Sequence, residues 1–291
     1  MPTAAWGMIT AGILSLAAGL ILVRKRFAKT PGPGKLLTLG PVFEAVALAI
    51  FAAEHFFMAR DLSTIVPRWL PDPLFWTYLV GIALLAAAIS FLAWRYVVLS
   101  SALLALLFLI IVATMDLPIL PQHIHERLFW TLTVRETAFA SGAMVLSGSL
   151  LSHRRQAAAT LVTVGRSLLA CIFIFYAIEH FLYPHNVPGV PLEKITPSWI
   201  PAPTLIAYLI GITLLLAGIG LTIPGTRRIA AASAGAMLLL LTIFFYVPIL
   251  ATELHTPLVI EGINYVGDTL LFAATALLAG FDTAFAKTLP T

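Results

Sequence analysis

The sequence predicts an all-α, polytopic membrane protein of about nine transmembrane helices. Three observations predict it: the composition, a succession of membrane-length apolar runs, and a four-helix pattern that occurs twice. Of 291 residues, 60% are hydrophobic and 10% charged, with a mean hydropathy of +0.99. That leaves too little polar surface to cover a soluble globule of this size, so the lipid bilayer is the expected partner. The net charge of +4 does not call for nucleic acid, because membrane proteins collect Lys and Arg on their cytoplasmic loops. The single cysteine, Cys171, excludes an internal disulfide and a two-thiol redox relay, and reads as a small core residue.

A helix needs about 20 apolar residues to span the hydrocarbon core. The first run, residues 4–23, is uncharged and is followed at once by Arg24, Lys25 and Arg26. A secretory signal would carry its charge before the apolar run, so this one reads as an anchor with its N-terminus outside. Residues 30–34 form a Gly/Pro linker. Further runs occupy 40–59, 74–94, 97–119, 128–151, 161–182, 204–221, 229–250 and 258–281. Threading them from an outside N-terminus puts most Lys and Arg on the cytoplasmic side of a cell inner (plasma) membrane, as the positive-inside rule requires, and makes the C-terminus cytoplasmic.

The pattern from Glu54-His55-Phe56 through Trp69-Leu70-Pro71 to Tyr78-Leu79-Val80-Gly81 returns as Glu179-His180-Phe181, Trp199-Ile200-Pro201 and Tyr208-Leu209-Ile210-Gly211. The Glu-His pairs lie 180 − 55 = 125 positions apart, and later motifs are offset by 201 − 71 = 130, as are Pro118 and Pro248, and His125 and His255. The outer loop of the second copy is therefore five residues longer. Glu136-Thr137 matches Asp268-Thr269 at 268 − 136 = 132. Several motifs in one order at nearly constant offset predict a duplication. It divides the chain into an anchor with a basic linker (1–35), a first four-helix unit (36–156) and a second (157–291). An even number of helices per unit makes the repeats parallel, related by a two-fold axis along the membrane normal.

A four-helix unit with Glu-His-Phe closing its first helix, a Trp-Leu-Pro loop and an acidic residue in its last helix resembles the DoxX-like membrane proteins. The resemblance spans roughly residues 40–280, as two fused units. It implies small helical bundles, some associated with a membrane oxidoreductase that uses quinone, which makes quinone a candidate ligand and an oxidoreductase a candidate partner.

Ionisable groups inside a bilayer face the bundle interior and pair with one another. The candidates are Glu54, His55, His125, Arg135 and Glu136 in the first unit and Glu179, His180, His255 and Asp268 in the second, with the Trp69 and Trp199 loops placed to fold over them. Each unit is expected to gather its own cluster at its outer end, binding a small molecule, quinone or lipid headgroup in support of a redox partner. Transport of a small solute and a purely structural or assembly role are the alternatives. Against the binding reading, interfacial Trp is common in any membrane protein, and Pro73 and Pro203 suit the first position of a helix. A metal site is not expected, because no His-x-x-x-His spacing fixes two ligands on one face. No phosphate loop, nucleophile triad or dinucleotide fingerprint is present, so enzymatic action is left open. The first unit carries Asp116 and Arg135 where the second has Tyr246 and Gly267, which favours the first as the working site. Glu44 and Asp282, near the cytoplasmic ends, are expected to reach water.

Overall fold

A computed structural model describes residues 1–151, 154–189 and 194–288; residues 152–153, 190–193 and 289–291 lie outside the described residues. Nine long helices among the described residues carry the fold: α1 Thr3–Lys29, α2 Gly40–Phe57, α3 Pro73–Ala93, α4 Val97–Ile111, α5 Arg127–Leu150, α6 Arg155–Leu182, α7 Pro203–Thr222, α8 Arg227–Leu241 and α9 Val259–Leu278. Among the described residues, the only β pairing is an isolated bridge between Asn186 and Ile195. Seven stretches among the described residues, which take in every long helix but α5 and α9, are long and apolar enough to cross a membrane. The chain is a multi-pass helical membrane protein.

Local chemistry accounts for the helix ends. Pro73 and Pro203 each occupy the first helical position, where a missing N–H costs nothing. The residues before them, Asp72 and Ala202, both take left-handed backbone with φ of 48°, and the Asp72 carboxylate accepts the Phe75 N–H at 3.2 Å. The helices α4 and α8 each run on through a π-helical turn, Val112–Asp116 and Thr242–Tyr246. Pro118 and Pro248 follow at the same spacing; each lacks the N–H that an α-helix would offer to the preceding turn, and a widened turn relieves that mismatch. Two helices are longer than their apolar runs. The segment Arg24–Lys29, with four basic residues, continues α1, and α6 begins at Arg155 rather than 161, because charge ends burial in lipid without ending helical propensity.

The packing closes a ring. In chain order α2 to α9 each touch the next, α9 returns to α2, and α5 and α9 meet across the middle. The helix α1 stands outside the ring and is not detached: Gly7 lies against Phe57, Gly12 against Ile50 and Gly19 against Val42, so a face of small residues lets it lie along α2. The crossing of α5 and α9 is equally close, since a Cβ on Gly142 would meet the Thr275 Cα at 3.0 Å. Most of α9, and α5 from Ala138 to Ser149 apart from the partly buried Met144, is buried. Being walled in by the other helices is what allows α5 and α9 to carry more charge than a lipid-facing span tolerates.

One end of the ring is basic. There Arg166 of α6, 7% exposed, donates to the carbonyls of Ala279 (3.1 Å) and Phe281 (2.7 Å) beyond the C-terminus of α9, where a cation complements the helix dipole. Arg228 pairs with Asp282 at 3.0 Å, which is half-exposed as expected. Two expectations are corrected. Glu44 does not reach water: it is 0% exposed, because its face of α2 is turned toward α9. Cys171 is exposed rather than buried, on the outward side of α6.

Candidate functional site

At the opposite end, where Glu54 and Glu179 close α2 and α6, the charged groups converge on the crossing of α5 and α9. Arg135 of α5 donates from Nη1 to Asp268 Oδ2 of α9 at 2.7 Å, and from Nη2 and Nε to Glu136 Oε1 at 2.8 and 3.2 Å. Glu136 and Asp268 are the pair aligned between the two halves of the sequence. One guanidinium thus stands between two equivalent carboxylates that would otherwise face each other unpaired. The three side chains are 17, 14 and 14% exposed, so they are largely desolvated without being sealed. Beside them, Glu54 Oε1 accepts from Asn264 Nδ2 at 2.7 Å. Asp116, at the end of the π turn of α4, has Oδ2 buried without a hydrogen bond. Two carboxylates thus bond to the Arg135 guanidinium, and two more, Glu54 and Asp116, lie close enough to feel its charge.

This arrangement differs from the expected one cluster per unit. The helix that closes the second half, α9, supplies Asn264 to Glu54 and Asp268 to Arg135, both of the first half. In the other direction Arg127 at the start of α5 donates to Glu179 Oε2 of α6 at 3.1 Å and lies over the Tyr183 ring. The cause is the ring: the first helix of each half packs against the last helix of the other, α2 on α9 and α6 on α5.

The tips of the two halves differ. In the second, the segment Val187-Pro188-Gly189 is buried. The Gly189 N–H donates to His180 Nε2 at 2.8 Å, and the Tyr246 hydroxyl donates to the Pro188 carbonyl. A Cβ on Gly189 would meet Leu241 at 2.9 Å, so the segment is wedged between α8 and α9, and its φ of +103° suits glycine. Since His180 Nδ1 contacts the Tyr176 carbonyl, which only accepts, Nδ1 carries the proton and Nε2 is the acceptor. His55 makes the same contact, Nδ1 to Phe51 O at 2.8 Å, and its Cβ packs on Gly81 as that of His180 packs on Gly211. In the first half, however, the loop is shorter and Asp116 stands where Tyr246 stands in the second.

Of the other candidates, Trp69 and Trp199 are 65 and 52% exposed and do not cover the cluster. His125 and His255 are exposed on the rim. Several participants were not singled out from the sequence: Asn264, Arg127, Tyr176 and the triad of Lys194, Glu253 and Glu261. The spacing of Asn264 and Asp268, four residues and one face, was the available signal for the first. Lys194 donates to Glu253 Oε1 at 2.8 Å and to Glu261 Oε1 at 2.9 Å. Burial opposes the charge on Lys194, but the two acids outweigh it and push the ammonium above the ordinary lysine range. Among the described residues, no three His, Cys, Asp or Glu side chains converge as a metal ion would require.

No curated protein and no solved structure matches the chain. A family model described as Domain of unknown function (DUF8561) matches residues 45–135 and 169–255, two stretches that each begin in the helix bearing a Glu-His pair. Together they cover more than half of the sequence, and the chain belongs to the DUF8561 family.

Proposed function

We propose that the chain consists of two like four-helix units in parallel, and that it binds a small hydrogen-bond-donating molecule at the outer end of the first unit. The observation that carries this reading is the contrast between the two tips. In the second unit the protein's own backbone supplies a donor, Gly189 N–H, to His180 and an acceptor, Pro188 C=O, to Tyr246. In the first unit the matched side chains are His55, with Nε2 directed the same way, and Asp116, which accepts where Tyr246 donates. A ligand meeting both must therefore donate twice. The surplus of carboxylates over Arg135 favours the same class. A hydroquinone or an ammonium group qualifies; a quinone, whose carbonyls only accept, fits less well. Six matched features support the duplication: the two π turns, the two left-handed residues before proline and the two His-to-carbonyl contacts.

The test is thermal stabilisation of detergent-purified protein by a short-chain quinol, its oxidised quinone and ethanolamine. A ligand at a hundred times its Kd adds about 2.7 kcal/mol. The quinol or ethanolamine should stabilise more than the quinone. Asp116→Asn and His55→Gln should remove that response while Tyr246→Phe keeps it. No response to any of the three, or a response kept in both first-unit variants, defeats the proposal.

A further inference from the structure

Away from that cluster, among the described residues, one fully buried ionisable side chain has no hydrogen-bond partner. Glu44 lies in the first turns of α2, 0% exposed, and neither carboxyl oxygen makes a hydrogen bond. It sits on the stripe Gly40, Glu44, Ala47, Phe51 and Glu54, whose spacing of three and four keeps one face toward α9. The register of that antiparallel seam is fixed at both ends: Gly40 lies against Leu277 and Leu278, Phe51 against Gly267, and Glu54 bonds to Asn264. Counting inward places Ala274 and Thr275 at the level of Glu44. Thr275 is 0% exposed, and its hydroxyl also lacks a hydrogen bond.

Two unpartnered polar groups at one level of a buried seam demand an occupant. The helices packed on α2 supply no counter-charge there. By their registers, α1 presents Ala17 and Ala18 and α3 presents Phe91 and Leu92. The charged groups of α1 are Arg24, Lys25, Arg26 and Lys29 in its last turns, α3 has none, and those of α9 are Glu261 and Asp268 in its other half. None of them bonds to Glu44. A metal ion would need several more oxygens than one carboxyl and one hydroxyl. An ionised carboxylate with no partner in an apolar cage is among the costliest groups a protein can bury, and binding a proton removes that cost. Nor is the acid needed to fill space, since the position aligned with Glu44, 125 residues on, is Leu169, itself fully buried.

We propose that Glu44 is an intramembrane proton-binding site, separate from the charged cluster and lying on the same seam. The cluster's nearer acids are Glu54, ten residues and about 15 Å along α2, and Asp268, two turns from Thr275 on α9. The same seam thus carries protonatable groups in both halves of the membrane.

The experiment is infrared difference spectroscopy of the whole protein in lipid vesicles, wild type minus Glu44→Gln. A protonated-carboxyl stretch should be present at neutral pH, shift in heavy water, and vanish in the variant. Its absence from the wild type, or its persistence in the variant, overturns the proposal. Glu44→Leu is made in parallel and should fold and resist heat at least as well as the wild type. If that variant unfolds, Glu44 is a structural bonding partner and the proposal falls. Ligand binding at the outer tip is measured in the same variants and is expected unchanged, so the two proposals stand or fall separately.

Discussion

Replacing Arg135 by Met leaves Glu136 and Asp268 without the cation between them. The loss worked from the structure is three hydrogen bonds of 2.7 to 3.2 Å within a group whose side chains are all under 20% exposed. An ordinary interhelical polar contact in a membrane is worth about 0.6 kcal/mol. Removing one member of a desolvated ion pair costs about 3–5 kcal/mol, mostly because the partner charge stays buried. Arg135→Met should fall in the larger range. Glu136→Gln and Asp268→Asn added to it should restore stability to within about 1 kcal/mol of the wild type, since neutral amides need no counter-ion. Equilibrium unfolding in mixed micelles, titrated with a denaturing detergent, measures each variant, and a double-mutant cycle isolates the Arg135–Asp268 coupling. The reasoning is refuted if Arg135→Met costs under about 1 kcal/mol, or if the triple variant is no more stable than the single one.

Other predictions concern packing and the second tip. Gly142→Ala should destabilise by about 1–3 kcal/mol because the new methyl meets the Thr275 backbone, whereas Gly7→Ala meets only the half-exposed Phe57 ring and should be tolerated; thermal melts of the two separate the cases. Tyr246→Phe frees the Pro188 carbonyl and should raise the rate of proteolysis between α6 and α7 with the rest of the chain intact, as gel analysis would show. Lys194→Met should cost about 1–2 kcal/mol, the bond to half-exposed Glu261 counting least. Because Lys194 is held above its ordinary value of 10.5, its contribution is fully present below that pH and is lost as pH rises through the higher folded value. A wild-type loss above pH 10.5 that the Met variant does not share is the expected readout.

The helical, membrane-spanning character was legible because hydropathy and proline placement are local. Pro73 and Pro203 start helices where one-dimensional reasoning places them. The candidate acids and Arg135 were legible too, since charge in an apolar run is conspicuous. Their partners were not. Spacing tells which face of α2 carries Glu54, but only closure of the ring decides that this face meets α9 rather than α5. The same closure buries Glu44, which its place near a helix end had assigned to water. The fate of Gly189 depends on a five-residue difference in loop length, whose effect is visible only once the loop has somewhere to go.

The single arginine at the crossing of α5 and α9 also makes the two halves unequal as building blocks. Two copies of the second half, assembled as the halves are here, would bring Asp268 against Asp268 with Gly267 alongside and no cation. Two copies of the first would set two Arg135 among two Glu136, a charge-balanced square. On the proposed two-unit reading, a first half severed between α5 and α6 is expected to pair with itself or with the second, whereas the second is expected to need the first. The covalent link keeps Asp268 beside Arg135, a counter-ion that the second half could not supply from a copy of itself, and so gives the chain a direction.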